Sequence, residues 1–112
     1  MTMTSNFTLY TNMETIDNYV TLLTARNHAT AQNDHCKYRY SVSCGKKYAR
    51  VCHEPILAPA GTQTSVHTFV SLESGDIYFA ASWKSPSKRI VGNVNNADPL
   101  QGTTDGGGNY AR

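Results

Sequence analysis

A chain of 112 residues with 39% apolar side chains has room for one core of two packed layers, which argues against a second domain. A formal charge of +2 argues against the long-range electrostatic steering of a strongly basic nucleic-acid-binding domain. No apolar run reaches the roughly 20 residues that cross a bilayer, so no membrane partner is expected.

Residues 1–11, polar and rich in threonine, are expected to form an extended or frayed arm. Thr11 and Glu14 have the spacing of a capping box. Met13, Ile16, Val20 and Leu23 then recur at intervals of three and four, which predicts a helix over 12–32 with its apolar stripe laid on a sheet. From Lys37 the period changes to two: Tyr38, Tyr40, Val42 and Cys44 alternate with Lys37, Arg39, Ser41 and Ser43 as in a half-buried strand. Gly45 allows a turn in "CGKK", and "KYARVC" supplies an antiparallel partner. "EPILAPAGTQT", with two prolines and a glycine, reads as a crossing loop. "SVHTFVSL", the turn "ESGD" and "IYFAASW" make a second hairpin.

The expected fold class is α+β, one N-terminal helix packed on an antiparallel sheet of about four strands. The sheet forms two hairpins across 37–83, within a single domain spanning 1–112. Pro86 makes "KSPSK" a turn or the start of a short helical segment. Residues 92–112 hold five of the eight glycines, so 84–112 is expected to be a turn and a Gly/Asn-rich tail, flexible or held by a partner, with Tyr110 anchoring it back.

Zinc sites use close pairs such as C-x-x-C or H-x-x-x-H; Cys36, Cys44, Cys52, His35, His53 and His67 contain neither, so no metal and no cofactor is expected. Buried thiols are the expected state of the cysteines. Adjacent strand residues point to opposite faces, which separates Cys52 from His53 as a nucleophile and base. His67, inside an apolar strand, reads as a satisfied sheet histidine. "GTTDGGGN" follows no strand and opens no helix, so it does not match a phosphate loop. No catalytic residue is assigned, and a non-enzymatic protein is expected.

The cations are more informative. Lys37, Arg39, Lys46, Lys47 and Arg50 fall in one stretch without a carboxylate, a local patch suited to phosphate or carboxylate groups. In "SWKSPSKR" the single tryptophan, Trp83, stands beside Lys84, Lys88 and Arg89, offering a stacking face with cations around it. The candidate ligand-binding set is Trp83, Lys84, Lys88 and Arg89, extended by Lys46, Lys47 and Arg50 if the "GKK" hairpin lies alongside. The competing reading is that Trp83 closes the core while the cations turn outward.

"GKKYARV", "SVHTFVSLESGDIYFAASWKSPSK" and "GNV" together resemble a family of small uncharacterised proteins of tailed bacteriophages, including marine and cyanobacterial phages. The likeness covers residues 45–112 and includes Tyr48, Phe69, Tyr78, Trp83, Lys84, Pro86 and Lys88. It departs where the family places an arginine before Gly-Asn: Val91 stands there, and Arg89 lies two residues earlier. The resemblance implies a phage accessory protein made in the host bacterial cytoplasm. A reducing cytosol also accords with three cysteines and no leader ahead of "MTMTSNFTLY". Expected partners are a host protein or macromolecule, or a small anionic, nucleotide-like ligand. The alternatives are a single-stranded nucleic acid or a second copy paired through a strand edge.

Overall fold

The chain has no glycine or proline before Gly45, so its N-terminal segment lacks the two strongest helix breakers. A computed structural model of the chain describes the backbone of residues 3–104 and the side chains of residues 14–104. Helix α1 runs Met3–Thr30. The arm expected over 1–11 is therefore helical from Met3, with residues 1 and 2 outside the described residues, and the Thr11–Glu14 pair lies inside the helix. Leu9 and Met13 extend the apolar period upstream of Ile16, and threonine lowers helix propensity without forbidding the helix. The helix ends two residues short of 32. Asn27 fixes that end: its Nδ2 donates to Cys36 O at 3.1 Å and its Oδ1 accepts from Tyr38 N at 2.8 Å, through a 3₁₀ turn at Asp34–Cys36.

Five strands follow: β1 (Tyr38–Cys44), β2 (Tyr48–Pro55), β3 (Ser65–Ser71), β4 (Asp76–Ala80) and β5 (Pro86–Asn93). They form one antiparallel sheet in the order β1-β2-β3-β4-β5, so the α+β class holds with five strands where about four were expected. The difference lies in "ASWKSPSKR". Ala81 N and Ser82 N both donate to Ser85 O, closing a tight turn at the point where the fourth strand was expected to continue to Trp83. Pro86 then begins the edge strand β5, where its missing N–H is tolerated.

The sheet has an inner face under the helix and an outer face. Ile16, Tyr19 and Leu23 are fully buried against Ala49, Val51, Val70, Ile77, Val91 and Val94. Burial of Ile16 and Leu23 stabilises the fold by about 2 kcal/mol each. The register shifts at three places: β3 carries an extra residue opposite Val51/Cys52, β5 carries one opposite Ile77/Tyr78, and a further shift falls between Tyr78 and Ala80. The extra side chains at the first two, His67 and Val91, are both buried.

His67 is the satisfied histidine expected. Its Nε2 lies 2.8 Å from Thr104 O and its Nδ1 2.9 Å from Thr68 Oγ1, which is 2.8 Å from the Tyr19 hydroxyl. A carbonyl only accepts, so Nε2 donates to Thr104; in the neutral ring Nδ1 then accepts from Thr68, and Thr68 accepts from Tyr19. Burial raises the Tyr19 phenol well above its ordinary value, which keeps that donor protonated.

The segment after β5 is packed where a flexible tail was expected. Val94 and Thr103 are buried, and Arg26 Nη1 donates to Thr103 O at 3.1 Å. A Cβ on Gly102 would collide with the Val91 carbonyl, so only glycine fits there. Residues 105–112, including "DGGGN" and Tyr110, lie outside the described residues. No helix among the described residues is long and apolar enough to cross a membrane.

Candidate anion-binding site on the open sheet face

Strand alternation sends Tyr48, Arg50 and Cys52 to the outer face, while Ala49, Val51 and His53 face inward. The β2–β3 register sets Arg50 opposite Phe69, and the β3–β4 register sets Phe69 opposite Tyr78. An aromatic strip results. Tyr48 meets Phe69 edge-on at 6.3 Å and Tyr78 at 5.7 Å between ring centroids. Burial, then the Asp76 carboxylate and Tyr48, raise the Tyr78 phenol, so Tyr78 is uncharged at neutral pH.

The turn between β4 and β5 folds over one end of the strip. Arg50 Nε donates to Trp83 O at 2.9 Å, and its guanidinium carbon stands 4.9 Å from the Trp83 ring centroid and 5.8 Å from that of Phe69. Phe69 is thereby 3% exposed, although no second layer covers it among the described residues. Trp83 is 46% exposed, which overturns the reading in which it closes the core. It sits on a turn, and its ring is stacked by a cation at the surface.

Beside this stack is a cavity of about 230 Å³ lined by Ser43, Cys44, Gly45, Lys46, Lys47, Tyr48, Arg50, Phe69 and Lys84. Four cations expected from the sequence therefore converge on one cavity, with Trp83 over Arg50. Lys88 and Arg89 do not line it; both are exposed on β5.

Charge pairing divides the basic stretch in two. Lys37 pairs with Asp34 at 3.2 Å, and Arg39 pairs with Glu54 at 3.0 Å. Lys46, Lys47, Arg50 and Lys84 have no carboxylate partner among the described residues, and no acidic residue lines the cavity. Among the described residues Arg50 donates only through Nε, and neither Nη group has a hydrogen-bond partner. Such a site offers a guanidinium fork and ammonium groups to an anion beside an aromatic surface.

Cys36 and Cys44 are exposed and Cys52 is buried, which corrects the expectation of three buried thiols. Cys44 ends an edge strand, and Cys36 lies in the 3₁₀ turn. Burial raises the Cys52 thiol, with the Arg50 charge in partial opposition, which disfavours the thiolate a nucleophile requires. Cys52 and His53 do point to opposite faces.

Sequence reasoning missed Tyr48, Phe69 and Tyr78 as parts of the site. Alternation alone links Tyr48 to Arg50. Joining them to Phe69 and Tyr78 takes the register between hairpins, which a single sequence leaves open.

No curated protein and no solved structure matches the chain. A family of unknown function, DUF7717, matches residues 3–111, nearly the whole length, and the chain belongs to that family.

Proposed function

We propose that this protein binds a small anionic, nucleotide-like ligand in the cavity between the β1–β2 turn and the β4–β5 turn, without catalysing a reaction on it. One observation carries the reading: Lys46, Lys47, Arg50 and Lys84, all without carboxylate partners among the described residues, surround one cavity bounded by aromatic rings. Arg50 is pre-oriented by the Trp83 carbonyl and supplies bidentate donors. The lysines add diffuse positive charge, and the exposed Trp83 ring gives a base or similar flat group a surface to stack on. The resemblance to phage proteins supports a role as an accessory factor that binds its ligand in the cytoplasm of an infected bacterium. Exposed, unbridged Cys36 and Cys44 accord with that reducing compartment.

Trp83 is the only tryptophan, so its emission reports the site directly. Titration with pyrophosphate and adenosine monophosphate is expected to give saturable changes, with adenosine much weaker. Absence of a saturable change with either anion, or equal binding of adenosine and its monophosphate, would sink the proposal.

A single-stranded nucleic acid is the second reading, favoured by the continuity of Tyr48 and Tyr78 with the cationic cavity on an open sheet face. It predicts an affinity for oligonucleotides that falls with added salt at a log–log slope of about −0.7 per phosphate contacted.

A further inference from the structure

A second cavity, of about 320 Å³, opens at the other end of the same strands, lined by Tyr38, His53, Pro55, Gln63, Thr64 and Ser65. The run of β1 between Cys44 and Tyr38 separates it from the cationic cavity by about 20 Å. Its chemistry is different. No lysine, arginine or carboxylate lines it, and burial pulls the His53 imidazole below its ordinary pKa, an effect partly offset by a hydrogen bond to the Ser65 backbone.

Two histidines of the sheet contrast. The rings of His53 and His67 stand 5.6 Å apart, and the fold uses both nitrogens of His67. His53 is only 8% exposed, yet its Nδ1 is buried with no geometrically formed hydrogen bond among the described residues. Native structures leave few such groups, and this one belongs to a residue that lines the cavity. The ring is held in place by Tyr38, edge-on at 4.8 Å, and by Tyr40, stacked at 5.9 Å.

The loop that closes the cavity is also fixed. Glu54 Oε1 accepts from Gly61 N at 2.9 Å and Thr64 Oγ1 at 3.0 Å, while Arg39 donates to Glu54 Oε2, Ile56 O and Ala58 O. The Glu54 carboxylate, next to His53 in the chain, is thus committed to the loop.

We propose that this cavity binds an uncharged, hydroxyl-bearing small molecule of about monosaccharide size, with the His53 imidazole as one of its polar partners. A neutral imidazole, a phenol, an amide and two hydroxyls form a wall of neutral donors and acceptors. Hydroxyl groups, which do both, can answer any of them. An apolar ligand would strand these groups, and an ion would find no countercharge.

The test is a nuclear magnetic resonance titration of the full chain with D-ribose, D-glucose, D-galactose, N-acetyl-D-glucosamine and glycerol. The readouts are backbone amides and the long-range ¹⁵N signals of His53. At least one compound is expected to shift the amides of Tyr38, His53 and Ser65 and the His53 Nδ1 resonance saturably, leaving Lys46 and Lys84 unmoved. Gln63 is exposed, so Gln63→Ala keeps the fold and is expected to weaken that binding about tenfold, the loss of one neutral hydrogen bond. His53→Phe, checked for folding by its amide spectrum, is expected to weaken it at least as much. No saturable shift with any of the five compounds, an unchanged affinity in Gln63→Ala, or inorganic phosphate shifting the same amides would each overturn the proposal.

Discussion

Single-alanine substitution of the basic residues separates spatial convergence from mere basicity. Lys46, Lys47 and Lys84 line the cationic cavity, whereas Lys88 and Arg89 lie on β5 outside it. An ammonium about 4 Å from a phosphate charge in a water-exposed site contributes about 1 kcal/mol, which is roughly fivefold in affinity. Physiological salt reduces this somewhat. Lys46→Ala and Lys84→Ala should each weaken pyrophosphate binding about fivefold, and the double variant about thirtyfold if the two act independently. Lys88→Ala and Arg89→Ala should stay within about twofold of the parent, as rim charges do. Trp83 emission measures the affinities, and isothermal calorimetry checks them without relying on the fluorophore. Equal losses from Lys88→Ala and Lys84→Ala would refute the convergence argument. So would a Lys46→Ala variant that binds as tightly as the parent.

The buried hydroxyl relay predicts an order of stabilities in urea unfolding at constant m: Tyr19→Phe removes one donor and costs about 1 kcal/mol, whereas Thr68→Val strands both Tyr19 and His67 and costs about 2–5 kcal/mol. Equal costs would refute the assigned donor directions. The folded-state pKa of His53 lies below its unfolded value of about 6.5, so its contribution is complete above that pH and is lost as pH falls through the folded pKa. Unfolding free energies from pH 7.5 downward should fall less steeply in His53→Gln than in the parent. Gly102→Ala forces a Cβ into the Val91 carbonyl, so the segment must detach from β5; thermal unfolding should show a loss of about 2–4 kcal/mol, and a change below 1 kcal/mol would contradict the packing.

The helical stripe, the first hairpin and the third strand were legible because each is local: Ile16 to Leu23 carries the 3.6-residue period, and Tyr38 to Cys44 the two-residue period. The fifth strand was hidden by Pro86, a breaker in a central strand that an edge strand accepts at its first position. The packed segment after Val94 was hidden by its glycines, which read as flexibility although Gly102 serves close approach. Of the candidate site, the cations could be named from the sequence. Which of them were free for a ligand could not, because Lys37 and Arg39 are neutralised by Asp34 and Glu54 from outside the basic stretch. His53 looked like an ordinary neighbour of Cys52, since an orphaned nitrogen is a property of packing alone.

One helix covers one face of a sheet, and that limit explains why the cationic site lies where it does. The bulges opposite Val51/Cys52 and Ile77/Tyr78 bury their extra residues, His67 and Val91, and the apolar cluster of the sheet gathers under α1. The outer face still contains Phe69, and shielding it falls to the Arg50 guanidinium and the Trp83 turn. A planar cation suits that task because it stacks on rings and stays hydrated at its edge, where a lysine would not. Covering the ring therefore places unused Nη donors at the mouth of the cavity. Arg50→Lys separates the two roles. It keeps the charge but loses the Trp83 carbonyl bond and the stack, so Trp83 emission should shift to the red before any ligand is added, and pyrophosphate should bind about tenfold more weakly. Lys84→Ala should weaken binding without moving the ligand-free emission. If Arg50→Lys leaves that emission unchanged, the guanidinium does not hold the turn, and the cavity loses the support that makes it a preformed site.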